Sequence, residues 1–316
     1  MTLLHPHVYS VTAFAPATCA NVAVGFDILG FALETVGDHV TLTRREDKQV
    51  IIEHITSVET LPFATEKNTA SVVIKKLVED LQLPTGFSIR IEKGIALGSG
   101  MGGSAASAVA ALVACNAFLT QPLSLHQLAR YALLGEEVAS GQPHADNIVP
   151  CLFGGITLIC SSERMEIVKL PTPDLFCVIV HPHLRVETKQ ARKILKPELS
   201  LADHVTQSAY LAGFIAALYR SDYHLLQHSL FDVVIEPQRA GFVPGFYEIK
   251  QAALDAGALG ASFSGSGPSL FALTSTQEQA EQVRAAMCAR LKIAHIATDS
   301  WISRISPEGA RIIHSS

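Results

Sequence analysis

Lys93-Gly94-Ile95-Ala96-Leu97-Gly98-Ser99-Gly100-Met101-Gly102-Gly103-Ser104-Ala105-Ala106-Ser107 carries five glycines and three serines. A strand-like run, Phe87 to Ile91, precedes the glycines, and an Ala-rich helical run, Ser104 to Leu119, follows them. Glycine lets the backbone turn into left-handed conformations and come close to a ligand. A helix N-terminus offers unpaired N–H groups and the positive end of the helix dipole. Together they make an anion cradle suited to the phosphates of a nucleotide. No Gly-Lys-Ser/Thr follows, so this is not a Walker A loop. Gly98, Gly100 and Gly103 satisfy G-x-G-x-x-G, but no Asp or Glu occurs between Gly103 and Glu136. The next segment, Leu125 to Val138, is again helical rather than a strand, which disfavours a dinucleotide fold.

Outward from this loop, the composition bounds the class. The chain has 316 residues, 48% of them hydrophobic and 17% charged, with a net charge of −5. That is enough for one large or two ordinary domains with a substantial core. No basic surface for nucleic acid is indicated. No apolar run reaches the roughly 20 residues of a membrane span, and no signal peptide is apparent. The six cysteines (Cys19, Cys115, Cys151, Cys160, Cys177, Cys288) are scattered, mostly in apolar runs. They read as buried free thiols in a reducing compartment, so a cytoplasmic location is expected.

Alternation predicts strands over Val8 to Ala15, Val40 to Thr43, Val50 to Ile55 and Phe87 to Ile91. Helical spacing covers Thr69 to Leu81, with Asn68 as its cap, and Leu125 to Ser140. Gly154 to Cys160 and Glu166 to Leu170 read as a hairpin. Pro171-Thr172-Pro173 marks a boundary, giving domains 1–170 and 171–316. Beyond it come a strand, Leu175 to His181, and helices over Lys189 to Leu195, Leu201 to Tyr219, Tyr223 to Phe231 and Phe246 to Ala256. Short strands, Ala261 to Phe263 and Ser269 to Thr274, flank a second glycine cluster. A helix, Gln277 to Leu291, and a closing strand, Ile293 to Trp301, follow. This order predicts an α+β protein, with helices layered on antiparallel sheet.

The glycine loop resembles the ATP loop of the galactokinase, homoserine kinase, mevalonate kinase and phosphomevalonate kinase family (the GHMP kinases), roughly Pro-x-x-x-Gly-Leu-Gly-Ser-Ser-Ala. Ala96 stands where the homoserine kinase branch usually has Pro, Met101 replaces Leu, and Gly103 replaces the first paired serine. Ser104 is therefore the hydroxyl left near metal or phosphate. Three more segments resemble that branch in the family's order. Pro16-Ala17-Thr18-Cys19-Ala20-Asn21-Val22-Ala23-Val24-Gly25-Phe26-Asp27 is similar to its first motif. Glu136-Glu137, near the end of the helix Leu125 to Ser140, with His144-Ala145-Asp146-Asn147 after it, is similar to the branch's next segment, and Gly260 to Ser269 to the third motif. The runs Thr188-Lys189-Gln190-Ala191-Arg192 and Glu236-Pro237-Gln238-Arg239 also match. The likeness covers about residues 12 to 275 and implies an N-terminal nucleotide-binding domain like domain 2 of ribosomal protein S5, a ferredoxin-like C-terminal domain, and an active site between them.

The resemblance implies transfer of phosphate from ATP to the side-chain hydroxyl of L-homoserine, a step toward threonine. It assigns ATP to Ala96, Leu97, Gly98, Ser99, Gly100, Met101, Gly102, Gly103, Ser104, Ala105 and Ala106. It assigns Mg²⁺ to Ser104 and Glu136, in keeping with that ion's need for hard oxygen ligands; Glu137 reads as a solvated carboxylate. Substrate falls to Asn21, Asp27, His144, Thr188, Arg239 and Gly265. Asn147 and Arg192 are expected to position the hydroxyl, and Asp146 stays open between general base and structural carboxylate. An amino-acid substrate needs a guanidinium for its carboxylate and acceptors for its ammonium, and this set supplies both. Mevalonate or shikimate as acceptor, or a catalytically silent regulator on the same fold, are the competing readings. The expected partner is a small molecule, neither nucleic acid nor membrane, and the likeness allows a homodimer.

Overall fold

The computed structural model describes residues 3–316, the side chains of Ala139 and Ser140 excepted. The first part of the chain runs β1 (Ser10–Ala20), β2 (Leu29–Arg45), β3 (Val50–Thr56), α1 (Thr69–Asp80), β4 (Gly86–Glu92), α2 (Gly103–Asn116), α3 (Leu125–Ser140), α4 (Ile148–Phe153), β5 (Ile156–Ser161) and β6 (Glu166–Leu170). The second part runs β7 (Phe176–Pro182), α5 (Thr188–Lys193), α6 (Leu201–Arg220), α7 (Tyr223–Ser229), α8 (Glu236–Arg239), α9 (Phe246–Asp255), β8 (Gly260–Phe263), β9 (Leu270–Thr274), α10 (Gln277–Ile293), β10 (Thr298–Arg304) and β11 (Arg311–Ser315).

Two sheets organise these elements. One has the order β11-β1-β2-β4-β3, with β5 and β6 branching from β2; the other is β10-β7-β9-β8. Every pairing is antiparallel except β3 with β4. The α+β expectation therefore holds. β11 follows the second sheet in sequence yet forms the edge of the first, beside β1.

The strongly apolar β7 is buried on both faces, and the two-residue period of a strand explains its composition. Val178 and Val180 join Leu270, Ala272 and the inner sides of α9 and α10 in one core. Cys177 and Ile179 face the other way with Phe271 and Leu273, into the core shared with the first sheet. There Phe271 meets Phe31 of β2 edge-on, at 6.0 Å between ring centroids.

Local signals set the helix starts. Asn68 accepts from the N–H of Ala70 at 3.1 Å, and Ser124 and Gln127 form a capping box at α3. One expected element is displaced: the closing strand is Thr298–Arg304, not Ile293 to Trp301, because α10 continues through Ile293. The β-branched Ile296 packs below that helix end against the second core, so burial overrides its strand propensity.

Candidate active site

A cavity of about 560 Å³ lies between the two parts of the chain. Its floor is the glycine loop. Gly98, Gly100 and Gly102 have positive φ, and Gly102 precedes α2 with no side-chain cap. A Cβ at Gly102 would stand 2.1 Å from Thr18 Oγ1 and 2.8 Å from Asn147 Oδ1, so only glycine lets the loop lie on those two side chains. The Ala106 N–H already donates to the Gly102 carbonyl at 2.9 Å. That leaves the amides at the very start of α2, before the first helical bond, for a ligand. Met101, Ala105 and Ala106 are buried in the core and do not line the cavity; their side chains seat the loop instead of facing a nucleotide.

The third motif braces the loop from the other part. Ser264 Oγ donates to the Gly100 carbonyl at 2.9 Å, and the Ser269 N–H to that of Ser99 at 3.1 Å. Below the loop, Lys93 pairs with buried Asp38 and donates to Gly103 O at 2.8 Å and Ser107 Oγ at 3.0 Å. Asp38 also accepts from the N–H groups of Gly94 and Ile95 at 3.1 and 3.2 Å. Sequence reasoning missed this clamp. Lys93 opens the diagnostic stretch, but its partner sits far back in the chain on β2.

At the start of α2, Ser104 Oγ donates to Glu136 Oε2 at 2.9 Å. Glu136 is buried and lines the cavity, whereas Glu137 is exposed. The pair is a hydroxyl and a carboxylate at a helix N-terminus, a donor set suited to a hard divalent cation. Next to it, Thr18 Oγ1 donates to Asn147 Oδ1 at 2.6 Å, which leaves the Asn147 amide NH₂ as a donor. Asp146 is buried. Desolvation, reinforced by the carboxylates of Asp27 and Glu136, raises its pKa from 3.8 to about 7.

Two arginines complete the cavity wall. Arg192 grips Asp27 with both terminal nitrogens, at 3.0 and 2.5 Å. Arg239 is 2% exposed and donates to the carbonyls of Gly265 at 3.1 Å and Ala191 at 3.4 Å. Burial, then repulsion from Arg192, lowers its pKa to about 10. Behind it, α8 is tied down. Asp232 accepts the N–H groups of Val234, Ile235 and Glu236 at 2.8–2.9 Å, and Glu236 takes Lys250 at 2.7 Å and Ser262 at 2.6 Å.

Asn21 spends both ends of its amide on the frame. Its Nδ2 donates to Gly265 O at 2.9 Å, and its Oδ1 accepts from the Asp27 N–H at 3.0 Å. Thr188 lies 3.4 Å from Ser266. His144 Nδ1 donates to the Gln142 carbonyl at 3.0 Å, and burial, then Arg192, lowers its pKa. These residues line the same cavity as the loop, Asp27 apart, which reaches it through Arg192. Among the described residues no cluster of three or more His, Cys, Asp or Glu could hold a metal, and no helix is long and apolar enough to cross a membrane. The cysteines are free; Cys160 is exposed and Cys288 half-buried, while the other four are buried as expected.

Comparison with known proteins agrees with this geometry. Residues 68–155 match the GHMP kinases N terminal domain, and residues 214–293 match GHMP kinases C terminal. A homoserine kinase of Xylella fastidiosa is 47% identical over 309 residues, covering 98% of this chain and 95% of that protein. One from Chloroherpeton thalassium is 44% identical, covering 96% and 99%. The crystal structure of homoserine kinase from Cytophaga hutchinsonii superposes with a TM-score of 0.94 at 42% identity, covering 98% and 99%.

Proposed function

This chain belongs to the GHMP kinase family, and on that premise we propose how its cavity transfers the γ-phosphoryl group of ATP to the side-chain hydroxyl of L-homoserine. The products are ADP and O-phospho-L-homoserine. The observation that carries the reading is the polarity of one cavity. A glycine-lined helix N-terminus and two guanidiniums, one of them paired with Asp27 behind it, line the same cavity. The helix start suits phosphates; the guanidiniums with Asp27 suit a zwitterion.

The free amides at the start of α2 hold the phosphates. Ser104 and Glu136 would hold Mg²⁺, which when bound neutralises charge on the transferring phosphate. Arg239, with no carboxylate bonded to it, receives the substrate carboxylate together with Arg192. Asp27 keeps lone pairs beyond the two that Arg192 occupies, and these accept the substrate ammonium. The Asn147 amide aligns the hydroxyl oxygen on the phosphorus. As the new O–P bond forms and the bond to the β-phosphate breaks, the hydroxyl proton passes to Asp146. Positioning of this kind supplies most of the rate in phosphoryl transfer. We place the reaction in the cytoplasm, from the reduced thiols.

A coupled ADP-release assay against homoserine, mevalonate, shikimate and galactose tests the reading. Homoserine is expected to be turned over by far the fastest. Faster turnover of mevalonate or shikimate would refute the substrate, and no ADP release with any acceptor would favour a silent regulator.

A further inference from the structure

One aromatic ring at the substrate end has no part in the scheme above. Phe26 lies under both guanidiniums: Cζ of Arg192 and Cζ of Arg239 are each 5.3 Å from its ring centroid. The ring is set there by an unusual turn in which Asn21, Val22, Ala23 and Asp27 all have positive φ, and Asn21 pins the turn to Gly265. The two cations need such a support. They repel one another, and only Arg192 has a carboxylate bonded to it. The Arg192 Nε is buried without a hydrogen-bond partner, and Arg239 has only carbonyl acceptors.

We propose that Phe26 is a positioning residue whose ring face gathers Arg192 and Arg239 into a single seat for the substrate carboxylate. A ring quadrupole attracts cations lying over its face within about 6 Å. It does so without supplying a negative charge that would repel the incoming carboxylate. A carboxylate at position 26 would hold the arginines equally well but would compete with the substrate, whereas an aliphatic residue would fill the space and leave the cations to splay apart. The inference rests on the assignment of the two arginines to the substrate carboxylate.

The test separates ring electrostatics from ring shape. Phe26 is replaced by phenylalanines with increasing numbers of ring fluorines, which nearly keep volume but drain the quadrupole, and in parallel by Phe26→Leu and Phe26→Tyr. The expected result is a homoserine KM that climbs stepwise with fluorine number and rises about 5- to 30-fold in Phe26→Leu. Phe26→Tyr is expected to stay near wild type, and the KM for ATP to stay unchanged throughout. A homoserine KM flat across the fluorinated series would overturn the proposal, as would an equal rise in the KM for ATP. Arg239→Leu serves as the control. If it raises the homoserine KM while the fluorine series is flat, only the role of Phe26 falls. If it leaves the homoserine KM unmoved, the carboxylate seat itself is wrong.

Discussion

Replacing Asp146 by Asn is expected to make the protein more stable and less active at once, with the stability gain growing with pH. Asp146 is buried, with its pKa raised from 3.8 to about 7, first by desolvation and then by Asp27 and Glu136. Its folded value lies above its unfolded one, so the folded state binds the extra proton between about pH 4 and 7. Stability therefore falls as pH rises through that window, and the full cost is present above it. Holding that charge costs on the order of 4 kcal/mol at pH 8, at about 1.4 kcal/mol per tenfold, and about 2 kcal/mol at pH 5. Asn cannot ionise and escapes this cost. Urea unfolding of both proteins from pH 5 to 8 reads the difference, which should widen by about 2 kcal/mol across the range. In the same variant kcat should fall by roughly 10²–10⁴, the scale of losing a general base. The wild-type rate should rise as pH passes through about 7, and the variant should lose that limb. A stability difference independent of pH would refute the burial argument. A kcat within about tenfold of wild type would show a structural carboxylate rather than a proton acceptor.

Glu136→Gln should lower kcat by roughly 10²–10³ while Glu137→Gln changes it little, since only Glu136 faces the cavity beside Ser104; equal losses in steady-state assays would sink the assignment to the metal. Arg239→Leu should raise the KM for homoserine on the order of 10- to 100-fold and spare that for ATP, the scale of one charged hydrogen-bonded contact, and titration of both substrates reads the split. Lys93→Met leaves Asp38 buried without its cation, so denaturant unfolding should show a loss of about 3–5 kcal/mol; an unchanged midpoint would mean that water reaches Asp38. Gly102→Ala meets both a left-handed φ and the Thr18 hydroxyl, so nucleotide binding by calorimetry should weaken at least about tenfold, and wild-type affinity would contradict the close packing of loop on strand.

The glycine loop was legible because a helix entry with this many glycines has few uses, and the chemistry lies in the backbone, which every reading of the sequence contains. Local patterns likewise foretold α1, α3 and the apolar β7, since caps and periodicity act within a few residues. The α+β class, the loop and the acidic pair near the end of α3 were thus within reach of the sequence alone. The resemblance already singled out Glu136 over Glu137 for the metal; the burial of Glu136 and exposure of Glu137 are the arrangement that proposal needs. What tertiary structure decided depends on residues distant in the chain. The last strand returns to the edge of the first sheet, although nothing in Arg311–Ser315 names β1 as its partner. Lys93 finds Asp38 on β2, and Asp27 finds Arg192 across 165 residues. Phe26 acquires two cations from α5 and α8. Burial has the same origin: the pKa of Asp146 is set by the low-dielectric wall and carboxylates that folding gathers around it, and electrostatics through space obeys distance, not sequence separation.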